Sequence, residues 1–268
     1  MDILKKIVDN KRQEIEILKK LSTIQKFRNE SIFWHEDNRS LKQNLLAPGC
    51  TGIIAEFKRK SPSKGWFKSK DLKVKPVVSA YNEFGAAGIS VLTDGQFFGG
   101  DLIDLAQARQ ATSVPILRKD FIIDEWQLAE AKANGADVIL LIAACLSHSE
   151  VKQMSGFAKS IGLEVLLEIH NEDELLHICD EVDMVGVNNR NLKTFEVDIT
   201  TSLRLIESIP ASTPAISESG ISNVETIRTL REAGFKGFLV GENFMKEDDP
   251  GMAFADFTER LRGLNGKV

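Results

Sequence analysis

The sequence predicts an α/β protein, a (β/α)8 barrel preceded by an N-terminal helical extension. Three observations carry that expectation. Eight short apolar runs rich in β-branched residues recur from residue 53 onward, helical polar-apolar stretches separate them, and glycine closes several of those stretches. Near-continuous apolar strands alternating with helices imply parallel strands buried on both faces. Units repeating every ~20–36 residues fit a closed barrel of about 250 residues. The competitor is a doubly wound open sheet, but no G-x-G-x-x-G follows the first apolar run. No Pro- and Gly-rich boundary divides the chain either. One domain is therefore expected over 1–268, with the extension at 1–47 and the barrel at 48–268.

In the extension, Ile3, Leu4, Ile7, Val8, Ile15, Leu18 and Leu21 recur at helical spacing. One or two amphipathic helices should pack on the barrel, capping its active face rather than plugging its lower mouth. The polar stretch Arg28 to Ser40, with Trp34 and His35, reads as a loop. Strands are expected at Ile53–Phe57, Ile89–Leu92, Pro115–Leu117, Val138–Ile142, Val165–Leu167, Met184–Val187, Pro214–Ile216 and Phe238–Val240. Ser147-x-x-Glu150, Asn171-x-x-Glu174 and Ser222-x-x-Glu225 read as capping boxes that open helices. Gly85, Gly135, Gly162 and Gly234 each stand between a helix and the next strand, where a left-handed residue ends the helix.

With 268 residues, 43% of them hydrophobic, the chain can bury a full core, and its net charge of −5 argues against a general nucleic-acid-binding surface. A small anionic ligand needs only a few local cations and stays possible. Cys50, Cys145 and Cys179 lack metal-like or redox spacing, which suits a reducing cytoplasm. The N-terminal MDILKKIVDNKRQEIEILKK has no signal-peptide core, and no apolar run approaches the ~20 residues that span a bilayer. The expectation is a cytoplasmic protein without nucleic-acid or membrane partners, a monomer or weak homo-oligomer.

In such barrels, chemistry gathers at the carboxyl ends of the strands. Those ends supply Glu56 and Lys58, Thr93-Asp94-Gly95, Lys119-Asp120, Ala143-Ala144-Cys145, Glu168, Asn188-Asn189-Arg190, Glu218-Ser219 and Gly241-Glu242-Asn243 in turn. Glu56 and Lys58 are two apart and share a strand face. A single Lys or Glu at a strand end is ordinarily a solvated loop residue. Several together, each after a core-like run, point to a mixed-sign cluster able to move protons. Ser219-Gly220 and Gly241 follow strands seven and eight, where barrels commonly hold a phosphate on backbone N–H groups. Glu242 would have to turn its side chain away and offer only its N–H. Phe97 and Phe98 belong either to a plain turn or to the wall of an aromatic pocket. His35, His148 and His177 read as surface or capping residues, while His170 is a possible neighbour of Glu168. The Gly263 to Lys267 stretch imitates a nucleotide loop only superficially.

The stretches IIAEFKRKSPSKG, SVLTDGQFFGG, PILRKDFIID, LLEIHNEDEL, VGVNNRNLKTFEVD, SESGI and LVGENFM resemble, in order, the strand-end motifs of the indole-3-glycerol phosphate synthase family. The resemblance covers essentially the whole chain. It implies a TIM barrel that turns 1-(2-carboxyphenylamino)-1-deoxyribulose 5-phosphate into indole-3-glycerol phosphate, carbon dioxide and water, with no cofactor or metal. It further implies an active site of Glu56, Lys58, Lys119, Glu168, Asn188, Arg190, Glu218 and Ser219. Lys119 is then the acid that protonates the ribulose carbonyl as the aromatic ring attacks it. Dehydration needs a second acid and a base that takes the amine proton, from among Glu56, Lys58 and Glu168. Asn188 and Arg190 would hold substrate polar groups. Lys58 would bind the phosphate with the backbone at Gly220, Gly241 and Glu242, while Phe98, Phe121 and Leu140 would line the anthranilate pocket. Lys58 near Lys119, or burial, is expected to lower the Lys119 pKa. The loop Ser61 to Gly65 is expected to close over the substrate. Asp101 stands where many relatives have Ser, an exchange of one helix N-cap for another.

Three rival readings follow from the same residues. Phosphoribosylanthranilate isomerase would need a Cys/Asp pair, and Cys50 has no convincing partner. A Schiff-base aldolase would use Lys119 as nucleophile. A silent barrel would have lost charged strand ends, and none is missing.

Overall fold

The computed structural model describes residues 3–265, so Gly266 and Lys267 of the loop-like C-terminal stretch lie outside the described residues. Eight parallel strands close into a barrel: β1 (Ile53–Phe57), β2 (Gly88–Leu92), β3 (Ile116–Lys119), β4 (Val138–Ile142), β5 (Glu164–Ile169), β6 (Met184–Asn188), β7 (Ala215–Glu218) and β8 (Gly237–Val240). Each strand pairs with its sequence neighbours, and β8 returns to β1 through Ile53↔Phe238 to Ala55↔Val240. Every expected strand is present, two with the expected bounds and the others with ends shifted by at most two residues. The alternation of strand side chains divides the interior in two. Ile54, Leu117, Leu140, Leu166, Ile216 and Leu239 point into the lumen, whereas Ile53, Ile89, Ile116, Val165 and Val185 pack against the outer helices.

Helix punctuation matches the sequence at most positions. Ser147 and Glu150 form the full capping box, and Gly85, Gly135, Gly162 and Gly234 all have positive φ. Two boxes differ. Asn171 caps a short 3-10 segment, and its Glu174 reaches back to the N–H of His170. At the third, Asn223 rather than Ser222 is the cap, accepting from Thr226 N–H at 2.8 Å, because Asn caps as well as Ser. Asp101 caps the helix Leu102–Ala111 through Ile103 N–H at 2.8 Å.

The extension holds three helices, not one or two: α1 (Ile3–Leu21), α2 (Ile24–Glu30) and α3 (Leu41–Leu46). The expected loop from Arg28 therefore begins only after Glu30. The α1 helix lies at the active face, where Ile3, Leu4 and Ile7 line the mouth. Its anchor is Lys11, 3% exposed, whose ammonium stands 3.3 Å from Asp94 and 3.1 Å from Asp120. Packing of α2 against the helix Glu125–Ala133 brings the Phe27 and Trp126 ring centroids to 5.1 Å. The lower mouth is plugged as well, by α3. Its Leu41 and Leu45 join the lumen cluster over Gly88 and Gly237, where side chains would collide with them. Glu164, at the start of β5, accepts the N–H groups of Leu41 at 2.8 Å and Lys42 at 3.2 Å. A carboxylate at a helix N-terminus is favourably placed. The extension thus reaches both ends of the barrel, lining the active mouth and plugging the lower one, and the reading that set one end against the other is corrected.

Candidate active site

The strand ends open into one cavity of about 370 Å³. It is lined by Glu56, Lys58, Lys119, Glu168, Asn188, Arg190, Glu218 and Ser219, by Gly220, Gly241 and Glu242, and by Phe98, Phe121 and Leu140. Phe98 and Phe121 face each other with centroids 5.9 Å apart. Phe97 is buried outside the lining, so only one ring of the aromatic loop reaches the cavity. That loop is a short helix, Gly95–Phe98, whose N–H groups at Phe97 and Phe98 are accepted by Asp94.

Glu56 lies within β1 and Lys58 one pleat beyond it, so both point to the mouth, and they pair at 2.6 Å. Lys119 ends β3 and extends across the lumen between Glu168 of β5, at 2.7 Å, and Glu218 of β7. Two glycines make room for these carboxylates. A Cβ on Gly186 would come within 2.3 Å of Glu218 Oε1, and one on Gly241 within 2.5 Å of Glu56 Oε1. After β7 the chain turns through two left-handed residues, Ser219 at φ 67° and Gly220 at φ 77°. For Ser219 that geometry is uncommon and costs about 1 kcal/mol or more. Its carbonyl is held by Asn189 Nδ2 at 3.1 Å. Asn188 Oδ1 accepts the backbone N–H of Arg190 at 3.0 Å, and Arg190 Nη1 donates to the carbonyl of Phe195 at 3.2 Å.

Burial favours neutral groups, and here it competes with close partners. For Lys119 burial pulls the pKa down, but Glu168 and Glu218 outweigh it, so the ammonium is held charged well above the usual lysine range. The expected lowering by Lys58 is corrected, since Lys58 is engaged by Glu56 and two carboxylates flank Lys119. Burial pushes Glu218 up to about 7; Lys119 opposes this, and Glu168 adds to it. Glu168 is held well below the usual carboxylate range because Lys119 and His170 overcome its burial. Two neighbouring carboxylates thus sit in opposite protonation regimes. Glu218 Oε1 is buried without a hydrogen-bond partner and fills the space left by Gly186.

Glu242 starts the short helix Glu242–Met245 and directs its carboxylate to Lys64, at 2.5 Å, in the Ser61 to Gly65 loop. That loop is a tight hairpin, with Lys60 opposite Trp66, and its Ser61, Pro62 and Ser63 line the cavity. Ile3, Leu4 and Ile7, expected at the active face, also line the cavity, as do Leu192, Phe195, Val197 and Lys246, which the sequence did not single out. The helical spacing in the extension was the one available signal for the first three. His170 approaches Glu168 from behind and is not part of the lining.

Fold and site together define a (β/α)8-barrel enzyme with a lysine–carboxylate cluster beside an aromatic wall at its strand ends. The indole-3-glycerol phosphate synthase family profile matches residues 4–257. A Bacteroides thetaiotaomicron indole-3-glycerol phosphate synthase is 47% identical over 97% of this chain and 99% of its own. That of Polaromonas naphthalenivorans is 43% identical over 95% of this chain and 98% of its own. The chain belongs to the indole-3-glycerol phosphate synthase family, carboxy-lyases of tryptophan biosynthesis. Among solved structures, thiamine phosphate pyrophosphorylase from Pyrococcus furiosus superposes with a TM-score of 0.60 at 17% identity, over 84% of this chain and 99% of that one. A chain of the tryptophan synthase complex of a Pyrococcus furiosus hyperthermophile gives 0.60 at 18% identity, over 80% and 98%. These two likenesses concern the barrel alone.

Proposed function

We propose that the cavity binds 1-(2-carboxyphenylamino)-1-deoxyribulose 5-phosphate and closes its indole ring by acid/base catalysis, releasing carbon dioxide and water. The observation that carries this reading is the Lys119 ammonium clamped between Glu168 and Glu218 in the cavity that Phe98, Phe121 and Leu140 also line. The anthranilate ring rests on that apolar wall. Its carboxylate-bearing carbon attacks the ribulose carbonyl, and Lys119 gives a proton to the oxygen as negative charge develops there. The alkoxide forming is more basic than the amine left behind, so a firmly protonated lysine is still a competent donor. Carbon dioxide then leaves, and its bonding electrons restore aromaticity. In the dehydration Lys58 protonates the departing hydroxyl, which leaves as water, and Glu168, kept ionised, accepts the proton released. Glu56 orients Lys58. The phosphate sits on the backbone of Gly220, Gly241 and Glu242 with Lys58 beside it, and Asn188, Arg190 and Ser219 hold substrate polar groups.

The reading includes a cytoplasmic setting, supported by three free cysteines, and a monomer or weak homo-oligomer. It treats 1–47 and 48–268 as extension and barrel of one domain, supported by the packing of α1 and α3 on the two barrel mouths. The deciding experiment follows indole fluorescence during turnover by wild type and Lys119→Ala. Loss of about 10³-fold in kcat fits the principal acid. Near-wild-type turnover in the variant would transfer that role to Lys58. A borohydride-trapped adduct on Lys119 would replace the reading with Schiff-base chemistry.

A further inference from the structure

His170 belongs to β5's exit, two residues beyond Glu168, and it lies outside the cavity lining. Both its ring nitrogens face carboxylates. Nδ1 is within hydrogen-bond distance of Glu174 Oε2 at 3.2 Å, and Nε2 approaches Glu168 Oε1 at 3.3 Å as an ion pair without hydrogen-bond alignment. A neutral imidazole carries one N–H and one lone pair, so it would turn that lone pair on a carboxylate oxygen. Only the doubly protonated ring suits both neighbours.

Glu174 is itself fixed for this task. Its Oε2 accepts the backbone N–H of His170 at 2.7 Å, its Oε1 accepts Asn171 Nδ2 at 2.8 Å, and Asn171 caps the segment that carries it. Glu168 is divided between two cations, with Oε1 toward His170 and Oε2 toward Lys119. The charged groups around the ring are therefore Glu168 on its own strand and Glu174 on the following 3-10 segment. Beyond Glu168 come Lys119 of β3 and Glu218 of β7.

We propose that His170 is a positioning residue: held as an imidazolium by Glu174, it sets its positive charge against Glu168 Oε1, keeps Glu168 ionised, and leaves Oε2 to Lys119 and the reacting substrate. The inference deepens the proposed function and rests on it for its catalytic consequence. Burial lowers the His170 pKa, but Glu168 and Glu174 more than reverse that, raising it to about 9. The cation is then present across the neutral range and fades as pH rises through about 9.

The first test needs no activity. Nitrogen-15 NMR of the imidazole in the full chain at pH 7.5 should show both nitrogens of His170 protonated; a neutral ring overturns the proposal. The second test is the pH profile of kcat/KM for wild type, His170→Ala, His170→Gln and Glu174→Gln, with thermal melting as the control for folding. His170→Ala should lower kcat about tenfold or more, leave KM within threefold, and move the acid limb up by about 1 unit, since Glu168 has lost a neighbouring cation. His170→Gln, which returns an uncharged donor, should recover part of kcat and little of the limb shift. Glu174→Gln should move the limb the same way by less. An unshifted acid limb in a folded His170→Ala enzyme overturns the proposal, as does a lowered melting point with an unchanged profile. Absence of turnover in wild type would instead sink the proposed function and leave the NMR result standing.

Discussion

Glu218 shows how far a single side chain departs from what its type suggests. Its folded pKa of about 7 lies above the ordinary 4.5, so between those values the folded state holds a proton that the unfolded chain has lost. Stability therefore falls as pH rises through that window. Glu218→Gln removes the liability: its melting point should match wild type below pH 4.5 and exceed it increasingly toward pH 8, as followed by calorimetry. The residues themselves were readable because strand alternation places Glu56 with Lys58, and because Glu168 and Glu218 follow apolar runs. Their protonation was not. Which cation meets which carboxylate depends on β3, β5 and β7 converging across the lumen, a relation between residues 49 and 99 apart in the chain. Lys11 was hidden for the same reason, one lysine among several on an amphipathic helix until Asp94 and Asp120 are seen beneath it.

At the scale of elements, the buried Lys11 ammonium is the main polar anchor of α1 on the active face, beside the buried Ile7, Val8 and Ile15 and the Lys19–Asp124 pair. Removing one partner of a buried ion pair leaves charge uncompensated, so Lys11→Ala should cost about 3 kcal/mol in urea unfolding and raise KM as Ile3, Leu4 and Ile7 lose their seat. Asp120 keeps Arg118 at 3.1 Å, which limits the loss to the lower end of the usual range. The Ser61 to Gly65 hairpin is latched to the other side of the mouth by Lys64–Glu242. Limited trypsin digestion at Lys60 should slow when product is bound, and Glu242→Gln should hasten it; cleavage indifferent to ligand would argue against closure. Strand and helix elements were largely visible from apolar runs and glycine stops. The helix α3 was not, because the six residues LKQNLL are too short to show a period and gain their helicity from packing and from Glu164.

For the molecule as a whole, the apolar plug at the lower mouth supports the fold without touching the catalytic end. Leu45→Ala, at the lower mouth, should destabilise by about 3 kcal/mol in urea unfolding while leaving kcat of the folded enzyme unchanged within twofold. A proportionate fall in kcat would mean that the two ends communicate. The closed topology was predicted from eight repeats, but the reach of one extension to both mouths was not, because no sequence pattern says toward which end a short apolar helix turns.

The contact of Leu45 with Gly237 also has a consequence for how the protein is made. A ribosome releases Leu45 about 190 residues before Gly237, and at roughly 5–20 residues per second the interval is on the order of 10–40 s. During that time the nascent plug has no floor to sit on, and β1 lacks β8, its partner on one side. The apolar faces of α3 and β1 are therefore exposed to chaperones and to sister polysomes until the last strand emerges. Slow codons upstream of Gly237 should lengthen that exposure and lower soluble yield, although the mature protein would be identical.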